Sequence, residues 1–281
     1  MKRLLLFLLP FIMISCKQFD VFYYQVLSVE SDNVQFKEVN YIYENDDVKI
    51  VYDMWSNAGD PGFTIFNKSD KTIYLNLEET QFIYNDYAYD YFQNRINSRS
   101  QKSSASLNIN SSSYYLNPYY NPRIKNTSQS IIDTKGASEE ISYSVDEGIS
   151  YQEKKVIVIL PKTNRSINEF TIPNIPYRDC KILRFPKEGE EKALKYNMEE
   201  SPYKFSNIIK YSFEKSFQTQ VTIRNNFWVT EITNLNYYFF YLDKLFTNCE
   251  GENYYKEYSP FKQPNRFYIQ YNKPDHYSEK Y

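Results

Sequence analysis

Apolar and polar residues alternate with a period of two along much of the chain. The clearest case has Val48, Ile50, Tyr52 and Met54 separated by mostly polar neighbours, directly after the turn residues 44–47. Such alternation places successive side chains on opposite faces of an extended strand, which is typical of a half-buried β-strand. The pattern therefore predicts a β protein.

A polar turn between two apolar segments is the clearest local structure in the sequence. Residues 67–70 (NKSD) follow the apolar segment 63–66 (FTIF) and precede a second alternating segment. Asn, Ser and Asp suit turns because their side chains bond to the nearby backbone. We expect a hairpin here, with Ile65, Ile73 and Leu75 nucleating the core.

Further short strands are predicted by segments rich in β-branched and aromatic residues. Before residue 177 these are 34–43, 81–84, 155–160 and 170–172, and after it they are 205–213, 221–223, 227–232 and 266–271. Their spacing predicts an all-β fold: an immunoglobulin-like antiparallel β-sandwich over residues 34–176. Residues 177–281 are expected to form a β-rich C-terminal extension packed on the sandwich, with 188–200 as the best candidate for a short helix.

Residues 97–130 differ from the rest of the chain because they are rich in serine and asparagine. A segment of this composition buries too little apolar surface to offset the entropy of ordering it. We expect a long flexible insertion within the sandwich. A binding lid is the functional alternative, because loops often carry function.

The N-terminus has the pattern of a secretory signal. Lys2 and Arg3 precede the apolar residues 4–14, which are too few to span a bilayer as a helix. The run ends in Met13-Ile14-Ser15-Cys16, which resembles a bacterial lipobox, whose cysteine is lipidated and becomes the first residue of the mature protein. We expect a signal peptide over residues 1–15, lipidation (palmitate included) at Cys16 and a tether over residues 16–33. A buried strand or an uncleaved helix is the structural alternative.

The residue after the lipobox cysteine bears on the membrane that holds the anchor. In lipoproteins of this kind an aspartate there often signals retention in the inner membrane, whereas this chain has Lys17. The expected location is therefore the outer membrane, with the periplasmic and surface faces both open.

Charge and composition exclude several function classes. The chain has 281 residues, 33 Lys and Arg against 35 Asp and Glu, and a formal net charge of −2, which gives no basic field for nucleic acid. Its single histidine, His276, leaves no Ser-His-Asp or Cys-His catalytic set and no pair of histidine metal ligands. Glycine-rich phosphate loops and EF-hand calcium loops are absent, so no cofactor, metal site or catalytic residue is predicted.

Cysteines and acidic pairs leave alternatives open. Outside the cytoplasm Cys180 and Cys249 can form a disulfide, or they can be two separate buried thiols.

A glycosidase needs two carboxylates across a cleft, and spacing alone cannot test whether any acids are so placed. The neighbouring acids are Asp86 with Asp90, Glu139 with Glu140, and Asp146 with Glu147.

Aromatic residues make up 19% of the chain, including 30 tyrosines. Tyrosine suits a half-buried strand, and an exposed tyrosine can stack on sugars or anchor a partner protein. The clusters are Tyr23-Tyr24, Tyr87 with Tyr89 and Tyr91, Tyr119-Tyr120, Tyr237-Tyr238 and Tyr254-Tyr255.

Several segments together resemble a group of lipoproteins from Bacteroidota that has no assigned function. They are the lipobox at Cys16 and residues 51–56 (VYDMWS), 62–71 (GFTIFNKSDK), 227–234 (FWVTEITN) and 264–269 (PNRFYI). The resemblance implies a lipid-anchored β-sandwich and carries over no catalytic or binding residue.

Two functions remain at this point. The first is a non-enzymatic envelope lipoprotein that serves binding or assembly, held to the membrane by its lipid and contacting envelope proteins or glycans. The alternative is a carboxylate-dependent glycan hydrolase. A cleft with converging carboxylates would favour the enzyme, and a flat aromatic patch without paired acids would favour the binding module.

Overall fold

The computed structural model describes residues 21–37, 39–100 and 148–273. Its elements, in chain order, are β1 (Phe22–Ser31), β2 (Gln35–Lys37), β3 (Asn40–Glu44), β4 (Val48–Tyr52), β5 (Phe63–Asn67), β6 (Ile73–Asn76), β7 (Gln81–Tyr84), β8 (Tyr87–Asp90), β9 (Ile96–Ser100), β10 (Gly148–Gln152), β11 (Val156–Ile159), β12 (Asn164–Ile167), β13 (Ala193–Lys195), β14 (Lys204–Ser212), β15 (Val221–Asn236), α1 (Tyr237–Phe240), β16 (Leu242–Thr247), β17 (Asn253–Tyr258) and β18 (Arg266–Asn272).

Two antiparallel sheets pack face to face and confirm the predicted all-β sandwich. The large sheet has nine strands, with β11, β6, β14, β15, β1 and β18 in spatial order, β7 and β8 continuing from β14, and β13 pairing with β15. The small sheet has five strands in the order β12, β5, β4, β3, β2. The pairs β9–β10 and β16–β17 form separate two-stranded sheets.

The core lies between the facing sides of the two sheets. On β4 the alternate residues Val48, Ile50 and Tyr52 are fully buried, as their period of two predicts. The Tyr52 ring meets Phe227 of the large sheet edge to face, with ring centroids 4.9 Å apart. Burial of apolar and aromatic side chains between the sheets is the main stabilising contribution to such a fold.

Residues 63–77 do not form the predicted hairpin. β5 belongs to the small sheet and β6 to the large sheet, so the turn at 67–70 carries the chain from one sheet to the other. Ile65, Ile73 and Leu75 are fully buried, so the predicted inward face is confirmed. A polar turn between two alternating strands does not show in the sequence whether the strands pair or separate.

The N-terminal tether predicted for residues 16–33 is wrong where the structure describes it. Phe22–Ser31 is a strand paired with β15 on one side and β18 on the other. Gln25, Leu27 and Val29 are fully buried within it. Cys16 and residues 17–20 lie outside the described residues.

The boundary at residue 177 does not separate two layers. β14, β15 and β18 lie in the same sheet as β6, β7 and β11, so the C-terminal half supplies the middle of the large sheet. The predicted strands 221–223 and 227–232 are parts of one strand of 16 residues, β15. The polar residues between them, including the fully buried Asn225, interrupted the apolar pattern without ending the strand.

Two local predictions are wrong and one falls mostly outside the structure. Residues 188–200 are turns and the short strand β13, because Leu194 fits as a buried strand residue beside β15. Residues 170–172 form no strand, although Phe170 and Ile172 are buried. Of the predicted insertion 97–130, residues 97–100 belong to β9, and 101–130 lie outside the described residues.

Candidate binding surface

The helix α1 and the two-stranded hairpin formed by β16 and β17 concentrate the exposed apolar side chains of the described residues. Of the fifteen large hydrophobic residues that are exposed in the described part of the chain, seven lie between residues 238 and 258. They are Tyr238, Phe239, Leu242, Leu245, Tyr254, Tyr255 and Tyr258. A concentration of exposed apolar side chains in one region of a protein surface is typical of interaction sites.

An aromatic cluster fixes the base of the hairpin to the large sheet. Asn236, at the end of β15, caps α1 by accepting a hydrogen bond from the backbone N–H of Phe239 at 3.0 Å. The capped turn directs Phe240 into the protein, where it is fully buried and stacks on Tyr24 with centroids 4.0 Å apart and an interplanar angle of 3°. Trp55 stacks on Phe240 from 5.9 Å.

The turn of the hairpin is set by Asn248 and a glycine. Asn248 Oδ1 accepts hydrogen bonds from the backbone N–H groups of Glu250 and Glu252, at 3.0 and 2.8 Å. Gly251 has φ +84°, a backbone conformation that glycine adopts without a steric penalty. These local bonds define the β16–β17 register and therefore the composition of each face.

The hairpin separates its charges by sign. Opposite residues in an antiparallel pair share a face, and successive residues alternate between faces. The basic face carries the pairs Leu242–Tyr258, Lys244–Lys256 and Phe246–Tyr254, and the acidic face carries Asp243–Glu257, Leu245–Tyr255 and Thr247–Asn253.

Contacts at the base show how the two faces are oriented. Tyr237 of α1 donates a hydrogen bond from its hydroxyl to Glu257, which raises the pKa of Tyr237 to about 12. The acidic face is therefore turned toward α1, and the basic face is turned away from it. On the basic face, Lys244 lies 5.6 Å from the centroid of the Phe246 ring.

Lys244 and Lys256 form an unfavourable pair within the protein itself. They are opposite each other across the strands, where like charges repel. Among the described residues neither lysine forms an ion pair. An exposed surface that keeps two cations together between aromatic rings is complementary to an anionic partner with apolar parts.

A cleft of about 830 Å³ lies between β11 and β12, the edge strands of the two sheets. Its lining includes Glu153, just before β11, and Glu169, just after β12. Arg95 joins both carboxylates: its Nη2 lies 2.6 Å from Glu153 Oε1, and its Nη1 and Nη2 lie 2.7 and 2.8 Å from the two oxygens of Glu169.

The protonation of this group favours a structural role. Burial acts to raise the pKa of Glu153, but hydrogen bonds from Arg95 outweigh it and the pKa is lowered. The pKa of Arg95 is raised, mainly by its bonds to Glu169. A glycosidase needs one carboxyl group whose pKa is raised so that it can donate a proton. Glu153 is instead kept ionised by its hydrogen bonds from Arg95.

The acidic pairs named from the sequence do not form such a site in the described residues. Asp86 precedes β8 and Asp90 ends it. Asp86 lies in the turn of the β7–β8 hairpin with φ +69°, whereas Asp90 accepts a hydrogen bond from Gln81 at its open end, so the two acids stand at opposite ends of the hairpin. Glu139, Glu140, Asp146 and Glu147 lie outside the described residues, as does His276.

The two cysteines are exposed and are not joined in a disulfide. Cys249 lies in the turn between β16 and β17, and Cys180 lies in the segment between β12 and β13. Within residues 21–37, 39–100 and 148–273 no group of three or more His, Cys, Asp or Glu is placed to hold a metal ion. The same residues contain no helix with the length and apolar character needed to cross a bilayer.

The structure brings two of the predicted tyrosine clusters together and buries others. Tyr237-Tyr238 and Tyr254-Tyr255 lie on α1 and β17, with Tyr238 82% exposed and Tyr255 73% exposed. Tyr24 and Tyr91 are buried, whereas Tyr87 is 68% exposed on β8. Tyr119-Tyr120 lies outside the described residues.

Comparisons with protein-family models, with curated proteins and with solved structures found no match to this chain. The candidate surface is therefore inferred from the geometry of this chain alone.

Sequence reasoning missed Lys244, Phe246 and Lys256 on the hairpin and the group around Arg95. The hairpin had a readable signal, because the turn-forming residues 248–252 separate two segments rich in aromatic and apolar residues, 242–246 (LDKLF) and 254–258 (YYKEY). The Arg95 group had none, since its three members are spread over residues 95–169.

Proposed function

We propose that this chain is a cell-envelope lipoprotein, of the kind found in Bacteroidota, that acts as a non-enzymatic binding or assembly module. Residues 1–15 serve as its signal peptide and Cys16 carries the lipid, which holds the protein at the outer membrane. The aromatic hairpin β16–β17, with Tyr238 and Phe239, is its contact surface.

The observation that carries this proposal is the concentration of exposed aromatic and apolar residues on one hairpin. Such side chains give large contact area with little loss of conformational entropy. The basic face carries no acidic residue, so it is an aromatic patch without paired carboxylates. The alternative, a glycan hydrolase, has weaker support because Arg95 binds both carboxylates of the cleft.

The lipid anchor is tested by metabolic labelling. Wild-type protein should incorporate a labelled fatty acid and fractionate with the outer membrane. Cys16→Ala should lose the label, and unchanged labelling of this variant would contradict the anchor.

The contact surface is tested by crosslinking in intact cells. Tyr238→Ser with Tyr255→Ser should remove crosslinks that wild-type protein forms reproducibly. Tyr87→Ser is the matched control, because Tyr87 is 68% exposed but lies on β8, away from the hairpin. Turnover of a glycan, abolished by one Asp or Glu substitution, would replace the binding role with the enzyme.

A further inference from the structure

The first described residues of the chain lie beside the base of the aromatic hairpin. Tyr23 on β1 is the register partner of Asn236, the residue that caps α1. Tyr24 stacks on Phe240 of α1. The segment that leads to Cys16 therefore enters the sandwich at the end from which the hairpin projects.

Covalent geometry limits how far the anchor can be from this end. Val21 is five residues after Cys16. A fully extended chain of five residues spans at most about 18 Å. A lipid on Cys16 would therefore hold Val21, beside the strand end that meets the hairpin base, within about 18 Å of the membrane surface.

The basic face has the composition of a surface that contacts lipid. Tyrosine is favoured at the level of the lipid headgroups, where its ring is apolar and its hydroxyl stays hydrated. Lysines near an anionic bilayer are attracted to it electrostatically. Leu242, Phe246, Tyr254 and Tyr258 surround Lys244 and Lys256 on this face. An anionic headgroup near the two lysines would also relieve their mutual repulsion.

We propose that the basic face of the β16–β17 hairpin docks on the anionic surface of the membrane that holds the lipid anchor. This inference rests on the proposed function, from which it takes both the anchor at Cys16 and the hairpin as contact surface. It adds the partner: phospholipid headgroups, contacted by aromatic rings and two lysines.

Docking has a measurable effect because the hairpin is marginal without it. An isolated two-stranded hairpin has little stability in water, and nearly every residue of β16 and β17 is exposed. Its backbone amides should exchange rapidly when the face is free. Contact with a bilayer should slow that exchange without changing exchange in the core.

The experiment uses the mature, acylated protein reconstituted in two kinds of vesicle, phosphatidylcholine alone and phosphatidylcholine with phosphatidylglycerol. Hydrogen–deuterium exchange is measured on β16 and β17 and on the core strand β15. We expect hairpin amides to exchange about tenfold more slowly on the anionic vesicles. High salt should abolish this difference because it screens the lysines.

Two charge reversals provide a matched pair of variants. Lys244→Glu should remove the difference between the vesicles, although its new pairing with Lys256 keeps the hairpin itself formed. Lys215→Glu makes the same change of charge in the exposed loop before β15, at the far end of that strand from the hairpin, and should leave the difference intact.

The outcomes separate this inference from the proposed function. Equal hairpin exchange on both vesicles overturns membrane docking. In that case, crosslinks to an envelope protein that depend on Tyr238 and Tyr255 would support binding to a protein partner. Slower amide exchange of the hairpin in the presence of a soluble acidic glycan would support binding to a glycan. Wild-type protein that incorporates no labelled fatty acid would contradict the anchor and, with it, both proposals.

Discussion

Asn207 on β14 and Asn225 on β15 lie directly opposite each other, and each accepts a hydrogen bond from the hydroxyl of a fully buried tyrosine. Tyr91 donates to Asn207 Oδ1 and Tyr52 donates to Asn225 Oδ1, both at 2.8 Å. Tyr52 comes from the small sheet, so its bond crosses the core. A satisfied polar pair in an apolar core specifies how the two sheets align.

Removal of the Tyr52 hydroxyl should destabilise the fold. Tyr52→Phe leaves Asn225 Oδ1 buried without this donor, and the expected cost is about 1–3 kcal/mol. Urea denaturation should show a lower midpoint with an unchanged slope. Tyr87→Phe, at an exposed tyrosine, serves as the control and should change the unfolding free energy by less than about 0.5 kcal/mol. Equal effects would mean that the buried bond contributes nothing.

Stability should fall at alkaline pH. Burial raises the pKa of Tyr52 and Tyr91, and burial followed by the neighbouring Tyr177 raises the pKa of Tyr203 to about 12. The unfolded value is about 10. A raised pKa in the folded state contributes stability that is complete below the unfolded value and is lost as pH rises toward the folded value.

The corresponding measurement is the urea midpoint as a function of pH, which should decline above about pH 10. Tyr52→Phe should show a shallower decline than wild type. Identical pH profiles for the two proteins would contradict the assignment of this loss to buried tyrosines.

Asn67 should be among the most sensitive polar positions. It is fully buried and uses its whole side chain: Nδ2 donates to the carbonyls of Lys71 and Ile159, and Oδ1 accepts from the N–H and the hydroxyl of Ser69. Asn67→Ala should cost about 2 kcal/mol, because the buried Ile159 carbonyl loses this donor and the bonds that hold the turn are lost. Asp70→Ala, at an exposed ion pair in the same turn, should cost less than about 1 kcal/mol by thermal unfolding.

A charge at a buried position of β6 should destabilise the protein far more than a reversal of charge just before the strand. Ile73→Asp places an unpaired carboxylate at a fully buried position and should unfold the protein. Lys71→Glu, at an exposed residue whose Nζ lies 5.9 Å from the Phe213 ring, should change stability by less than about 1 kcal/mol. Circular dichroism and urea unfolding distinguish the two, and similar results for both would mean the faces are misassigned.

Arg95→Gln should destabilise the protein in a pH-dependent manner. Hydrogen bonds to charged groups suggest a loss of about 1.5–3 kcal/mol at neutral pH, toward the lower end because Arg95 is partly exposed. The lowered pKa of Glu153 contributes stability above the unfolded value of about 4.3, and this is lost as pH falls through the folded value.

The difference between wild type and Arg95→Gln should therefore shrink below about pH 4. Lys155→Gln provides the control, since its ion pair with Glu78 is exposed and should contribute almost nothing at either pH. A constant difference from neutral to acidic pH would show that the bonds to Glu153 and Glu169 are not its source.

Local sequence patterns predicted most of the strands but not which strands pair with each other. Val48, Ile50 and Tyr52 could be assigned to a half-buried strand because alternation is a property of neighbouring residues. The separation of β5 and β6 into different sheets depends on their partners β12 and β14, which are distant along the chain. Sequence reasoning over short windows contains no information on that choice.

The candidate surface was partly visible in the sequence. Tyr237-Tyr238 and Tyr254-Tyr255 were apparent as pairs, but only the β16–β17 register shows that Lys244 and Lys256 share a face. The strand β1 was missed because Phe22–Ser31 follows a signal-like segment, where a tether is the usual expectation. Tertiary pairing with β15 and β18 overrides that expectation.

The position of β1 between two antiparallel neighbours has a mechanical consequence. β1 begins at the hairpin end of the sandwich and runs to the opposite end, where Ser31 pairs with Phe227. A pull on the N-terminus, resisted at the far end, would drag β1 along its own axis. Backbone hydrogen bonds to both neighbours lie across that direction, so they bear the load together as in shear rather than opening one after another. The first strand would therefore resist a force applied through the N-terminus.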